Sequence, residues 1–356
     1  MGSRIYICHT FYHAYIACLK ELSRHRAQWG EADLMLSSMS NDFGNLKERA
    51  ERSGLFRRVV SFDEKEETFF PELTPLKKDT GNLFTNMIQR IRFTRRFGKL
   101  LEPYIPVDLK AYGDIYVFCD SDPIGYYLST HKIHYHALED GLDCIRYYDT
   151  ARYDNRGHFG LKVFFSRKLN LIFIQNGYGK YCIDMEVNDI ASIPYPCPGY
   201  IEVPRQALVE RLTADDKNLI LQAFIRDKAA LERQIADSSQ VKDKILILTE
   251  PLCTLDVRER IFRDLTERYG KEGMVFLKPH PRDGLDYRRL FAEYPQFDAT
   301  VPMEMLNFFP GLRFKKVISV LTEIKAIQFA DEVVRLGPDF LDKYEEPSIH
   351  RQNEMI

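Results

Sequence analysis

The chain has 356 residues, longer than a single hydrophobic core usually supports, so two domains are the default. Hydrophobic residues make up 45% and charged residues 29%, the balance of a folded globular protein, which excludes a disordered or fibrous chain. A formal net charge of −2 supplies no overall basic field, so nucleic acid is not an expected partner.

In chain order, residues 5–8 read as a short strand rather than the apolar core of a signal peptide, and residues 11–22 carry apolar side chains at helical spacing. A strand at 34–36 leads into a charged helix around 46–52 and a further strand at 59–62. Residues 63–72 are acidic and aromatic. A basic stretch follows, in which Met87, Ile88, Ile91, Phe93 and Phe97 interleave with Arg90, Arg92, Arg95, Arg96 and Lys99. It predicts a domain helix with a solvated basic face, and the same pattern also suits a helix lying on an anionic membrane surface. Strands at 115–118 and 133–138 flank a helix at 123–128. Strands alternating with helices in this way predict βαβ units and a parallel sheet.

Residues 177–204 change character, with Pro194, Pro196, Pro198 and Pro204 around Tyr195, Cys197 and Gly199, and read as a linker. Helices follow at 206–212 and 214–224, the second capped by Thr213 or Asp215. A second series begins with a strand at 244–248, a helix at 257–269 and a strand at 274–277. It continues with a helix at 287–294, a strand at 317–320, a helix at 324–329 and a strand at 333–336. Two such series predict two Rossmann-like domains facing a central cleft: 1–195, a linker and helical segment at 196–240, and 241–356. No run approaches the roughly 20 apolar residues of a membrane span. The seven cysteines (Cys8, Cys18, Cys119, Cys144, Cys182, Cys197 and Cys253) are scattered and contain no C-x-x-C pair. Free thiols in a reducing compartment are expected, not a disulfide framework or a zinc site. The expected location is the cytoplasm, with room for peripheral contact at the inner face of the plasma membrane and for a homodimer.

Three segments lie at the carboxyl ends of predicted strands, where open α/β sheets bind their ligands. In Lys278-Pro279-His280-Pro281 two prolines fix the backbone around a histidine able to donate to a phosphate oxygen, with Lys278 adding charge. Glu139-Asp140-Gly141 places two carboxylates beside a residue that turns tightly, and a carboxylate there can act as general base toward a hydroxyl. Ser319 and Thr322 stand near a predicted helix start, the setting of an anion site. The loop after the first strand holds His9 and Thr10, and the loop after 244–248 holds Thr249 and Glu250. Asp256, a few residues on, is either a helix cap or a second candidate for the base. His134 and His136 alternate onto one face and suggest a metal site with Glu139, but without a third ligand at a standard spacing they make a poor case. Neither a P-loop nor a dinucleotide fingerprint is present.

These residues resemble the bacterial sialyltransferases of glycosyltransferase family 52, the lipooligosaccharide sialyltransferase group. The acidic-acidic-Gly motif of that group is similar to Glu139-Asp140-Gly141, its His-Pro motif to His280-Pro281, and its first strand and loop to residues 7–13. The chain departs from it in the last phosphate loop, where Leu321-Thr322-Glu323 replaces paired hydroxyl residues. The resemblance implies a GT-B fold that uses CMP-sialic acid without metal or cofactor, with the donor on the C-terminal domain. It implies that Asp140, or alternatively Asp256, deprotonates a galactose hydroxyl of a surface glycan in one inverting displacement. His280 would assist the departing CMP, with Ser319 and Thr322. A GT-B transferase with another donor such as a UDP-hexose, and a non-catalytic glycan-assembly protein, remain as alternatives.

Overall fold

The computed structural model describes residues 3–118, 120–141, 145, 157–237, 241–309, 311–322, 324 and 327–350. It divides into two units, Met1–Asp216 and Lys217–Ile356.

In the first unit two apolar runs form strands buried along their whole length. β1 (Arg4–Cys8) and β2 (Ala32–Ser37) have no exposed position, as expected for parallel strands covered on both faces. They join β3 (Phe56–Phe62), β4 (Asp114–Phe118), β5 (Tyr135–Leu138), β6 (Cys182–Val187) and β7 (Tyr200–Glu202) in a seven-stranded sheet ordered β3-β2-β1-β4-β5-β6-β7. Every pairing is parallel. The strand order reverses at β1, so a crevice opens at the carboxyl ends of β1 and β4. Helix α1 (Phe11–Leu22) begins at Thr10, whose hydroxyl accepts the His13 backbone N–H at 3.1 Å. Farther along α1, Glu21 is buried against Arg4 and Tyr6, and Lys20 reaches Glu186 of β6 at 2.5 Å. α2 (Leu46–Arg52), α3 (Leu83–Leu100) and α4 (Pro123–His131) follow. α3 buries Phe93 and Phe97 in the core, as its pattern predicts for a domain helix.

The second unit holds a four-stranded parallel sheet ordered β11-β10-β8-β9, formed by β8 (Lys244–Leu248), β9 (Met274–Lys278), β10 (Phe314–Ser319) and β11 (Ala330–Arg335). The helix Leu255–Gly270 covers it, packing Ile261, Phe262 and Leu265 against Ile245, Ile247, Leu277 and Ile318. Here the order reverses between β8 and β10.

Several expectations are corrected. Residues 177–204 contain β6 and β7, which extend the first sheet, so the first unit runs past residue 195 to Asp216. The prolines lie in the connection between these strands and ahead of the helix Arg205–Glu210. The helix expected at 287–294 is one turn, Tyr287–Leu290. Residues 324 and 327–329 are not helical, and Glu323 lies outside the described residues, as do Cys119 and Cys144. Cys8, Cys18, Cys182 and Cys253 are free thiols. Among the described residues no helix is long and apolar enough to cross a membrane.

α3 and α4 pack closely through Gly98, where a Cβ would lie 2.1 Å from the Thr130 hydroxyl oxygen and 2.6 Å from the Tyr126 carbonyl oxygen. The carbonyl is fixed in its helix, so Gly98→Ala forces the helices apart. We expect a loss of about 2 kcal/mol, after any gain in helix propensity, read as a lower denaturant midpoint at unchanged slope.

Candidate active site

Five connections meet at the crevice of the first sheet. After β1, the His9 ring is buried with Nε2 at 2.7 Å from Glu64 and 3.4 Å from Asp122. Glu64, just beyond β3, also accepts the Ser37 hydroxyl at the end of β2 at 2.6 Å and the Ile124 backbone N–H at the start of α4 at 2.8 Å. Asn41 donates to the His9 carbonyl at 2.8 Å. Burial works against protonating His9, but the Glu64 charge and hydrogen bond, with Asp122 and Asp140 nearby, outweigh it and raise its pKa to about 9. Burial, partly offset by His9, raises Asp122 to about 7.

His13 makes the decisive contact. The His9 backbone N–H donates to His13 Nδ1 at 3.0 Å, so the proton of the neutral ring sits on Nε2. His13 Nε2 makes a short hydrogen bond to Asp140 Oδ1, and the ring stacks on Phe118 at 4.4 Å. The histidine is wholly buried, whereas the Asp140 side chain is 32% exposed. Asp140 is therefore an oriented carboxylate with access to solvent at the end of β5. Gly141 follows with φ 124°, a backbone region that favours glycine and turns the chain away immediately after the carboxylate. Glu139 faces inward and accepts the Asn188 N–H at 2.7 Å, and burial raises its pKa.

In the second unit, His280 lies at the end of β9 and its backbone N–H donates to the Thr249 hydroxyl at 3.0 Å. The Arg282 backbone N–H donates to His280 Nδ1 at 3.1 Å, which leaves the proton on Nε2. Burial, then the charges of Arg282 and Lys278, lower the His280 pKa to about 4. The ring is neutral near pH 7, a hydrogen-bond donor rather than a stored proton. Lys278 is buried and donates to the carbonyls of Pro279 and Ala299 at 3.0 and 3.1 Å, with burial lowering its pKa to about 8. Glu250 accepts the backbone N–H groups of Val320, Leu321 and Thr322 at 2.6, 3.0 and 3.0 Å, and burial raises its pKa. Ser319 donates to the Thr322 carbonyl at 2.7 Å. Asp256 is exposed in the first turn of its helix, held low by the Thr254 hydroxyl at 2.7 Å, as a helix-start carboxylate is.

The structure thus brings His9 and Asp140 together in the first unit, with Thr10 capping α1 beside them and Glu139 turned away. In the second it gathers Thr249, Lys278, Pro279, His280 and Pro281 at one strand end, and Glu250, Ser319 and Thr322 at the next. His13, Glu64 and Asp122 are additional, and the one sequence trace of them is the four-residue spacing of His9 and His13 across a helix start. His136 pairs with Asp184 at 2.8 Å rather than with Glu139. Among the described residues no cluster of three or more His, Cys, Asp or Glu is arranged to hold a metal.

Each unit therefore carries polar side chains at the strand ends where its sheet order reverses. The model of glycosyltransferase family 52 matches residues 86–321, and the chain belongs to that family. A Haemophilus influenzae protein described as uncharacterized is 28% identical over 114 residues, a match that covers 29% of this chain and 36% of that protein. The chain therefore matches about a third of the length of this curated relative. Among solved structures, a Photobacterium sp. JT-ISH-224 2,6-sialyltransferase in complex with CMP and lactose superposes with a TM-score of 0.57 at 10% identity, over 94% of this chain and 71% of that one. The GT-B domain of a Photobacterium damselae sialyltransferase gives 0.53 at 12% identity, over 90% and 86%. A Photobacterium phosphoreum α/β-galactoside α-2,3-sialyltransferase gives 0.52 at 10% identity, over 93% and 89%. The fold is accordingly GT-B.

The raised pKa of His9 carries a sign. A proton held more tightly in the folded state stabilises it fully below 6.5, and that contribution is lost as pH rises through about 9. Unfolding midpoints should fall between these limits, and His9→Gln should flatten that part of the curve.

Proposed function

We propose that the chain transfers sialic acid from CMP-sialic acid to a galactose-type hydroxyl of a bacterial surface glycan, in one inverting displacement. The observation that carries this reading is the His13–Asp140 pair, a solvent-accessible carboxylate oriented by a buried imidazole. Asp140 takes the proton of the acceptor hydroxyl as that oxygen attacks the anomeric carbon. The bond from that carbon to the phosphate oxygen breaks, and His280 donates its Nε2–H to the phosphate as charge moves onto it. Because His280 is neutral, it stabilises the leaving group by hydrogen bonding, and the phosphate's own charge favours later protonation. Asp256 has the weaker case as base, since a fully exposed carboxylate held low by its neighbour has little affinity for a proton. We read the reaction as metal-independent, with side-chain donors answering a single phosphate. The likeness to sialyltransferases, one of them holding CMP and lactose, supports the donor and acceptor classes.

The cell compartment in this reading is the cytoplasm, with peripheral attachment to an anionic inner membrane through the start of α3. There Leu83 and Phe84 are 73% and 76% exposed, ahead of the cations Arg92, Arg96 and Lys99. Leu83→Ser with Phe84→Ser should reduce co-sedimentation with vesicles containing anionic lipid and leave turnover of a soluble acceptor unchanged.

Turnover with CMP-sialic acid and a galactoside acceptor tests the chemistry. Asp140→Asn should lower kcat by about 10²- to 10⁴-fold, and His280→Ala by about 10²- to 10³-fold. Asp256→Asn should change it little, and a chelator should leave it unchanged. Turnover with UDP-hexoses and none with CMP-sialic acid would overturn the donor assignment.

A further inference from the structure

Parallel sheets bind anions where strand order reverses, and in the second unit that place is between β8 and β10. Its backbone donors are already engaged. Glu250 extends from the end of β8 and fills the concavity formed by the N–H groups of Val320, Leu321 and Thr322, the position a phosphate oxygen would take. Ser319 turns its hydroxyl onto the Thr322 carbonyl. An incoming phosphate would meet a carboxylate there, and like charges repel.

The cations near His280 can be sorted by what they already hold. Lys278 is buried and tied to two carbonyls. Arg258 is bound to Asp283 at 2.5 Å and to the carbonyls of Leu252 and Cys253 at 2.6 and 2.9 Å. Arg282 is exposed, and among the described residues its guanidinium forms no ion pair or side-chain hydrogen bond. It stands on a tight turn, closed by the Asp283 N–H donating to the His280 carbonyl at 3.0 Å, and its own N–H donates to His280 Nδ1 at 3.1 Å. Asp283 anchors that turn through Arg258 and the Tyr287 hydroxyl at 2.8 Å.

We infer that the guanidinium of Arg282 and the Nε2–H of His280, carried on the one β9 turn, form the subsite for the donor's phosphate, in place of the β8/β10 backbone concavity that Glu250 fills. Arg282 is then the specificity-determining cation of the donor site. Its planar fork suits phosphate, and its exposure lets it bind and release the nucleotide without breaking an internal ion pair. The inference rests on the nucleotide-sugar reading above and adds the residue that recognises the charge.

The test compares calorimetric binding of CMP and of cytidine to the full chain. Wild type should prefer CMP. In Arg282→Gln that preference should shrink by about ten- to a hundredfold, with cytidine affinity and the unfolding midpoint unchanged, and Arg282→Lys should recover part of it. The same preference in Arg282→Gln as in wild type would overturn the inference, as would its collapse in Ser319→Ala with Thr322→Val but not in Arg282→Gln. If wild type binds UDP and not CMP, the donor reading fails, and the ratio of UDP to uridine affinity then tests Arg282 by the same criterion. Binding of neither nucleotide overturns both.

Discussion

The geometry of the strand-end crevice in the first unit depends on one buried carboxylate. Glu64 takes a proton donor from the end of β2, from the ring that follows β1 and from the first turn of α4, so three connections are registered against one charge. A buried carboxylate with too few partners would be costly, and here each donor comes from an element that the sheet already positions. The consequence passes along the chain. With the His9 ring held by Glu64, the His9 backbone N–H points at His13 Nδ1, and that contact dictates which nitrogen of His13 faces Asp140. The protonation pattern of the crevice is therefore set by backbone direction and needs no bound ligand.

The two units use histidine in opposite ways. His9, among carboxylates, holds its proton to about pH 9, whereas burial first, and then the charges of Arg282 and Lys278, keep His280 neutral to about pH 4. A crevice that keeps a positive ring among carboxylates balances their charge. A turn that keeps a neutral ring beside an arginine suits reception of an anion, because the incoming charge meets donors and no acid that must first be deprotonated. In the proposed reaction the acceptor hydroxyl loses its proton in the first environment and the phosphate gains charge in the second.

How much of this was legible in the sequence follows from how local each feature is. Asp140 and His280 could be found because each follows a strongly apolar strand and sits beside a residue that constrains the backbone, Gly141 or the flanking prolines. The parallel sheets were legible for the same reason. β6 was not, because Asp184 and Glu186 interrupt its apolar pattern: His136 satisfies the first, Lys20 the second, and both partners are distant in sequence. β7 has three residues among prolines and is a strand by virtue of pairing with β6. Glu64 lay within a stretch that reads only as acidic, and nothing local distinguishes it from Asp63, which is exposed. The anion role expected of Ser319 and Thr322 followed from their position at a strand end, and only the tertiary structure shows Glu250 accepting the backbone N–H groups of Val320, Leu321 and Thr322.

The central claim is a single displacement at the anomeric carbon, with Asp140 activating the acceptor and the sugar leaving a phosphate. The most direct measurement is proton NMR of the reaction in progress, with CMP-sialic acid and a galactoside, recording the anomeric configuration of the first product before it can equilibrate. The account predicts loss of CMP-sialic acid matched by a new sialyl–galactose linkage of inverted configuration. Retained configuration would require a covalent intermediate or front-face attack and would contradict it.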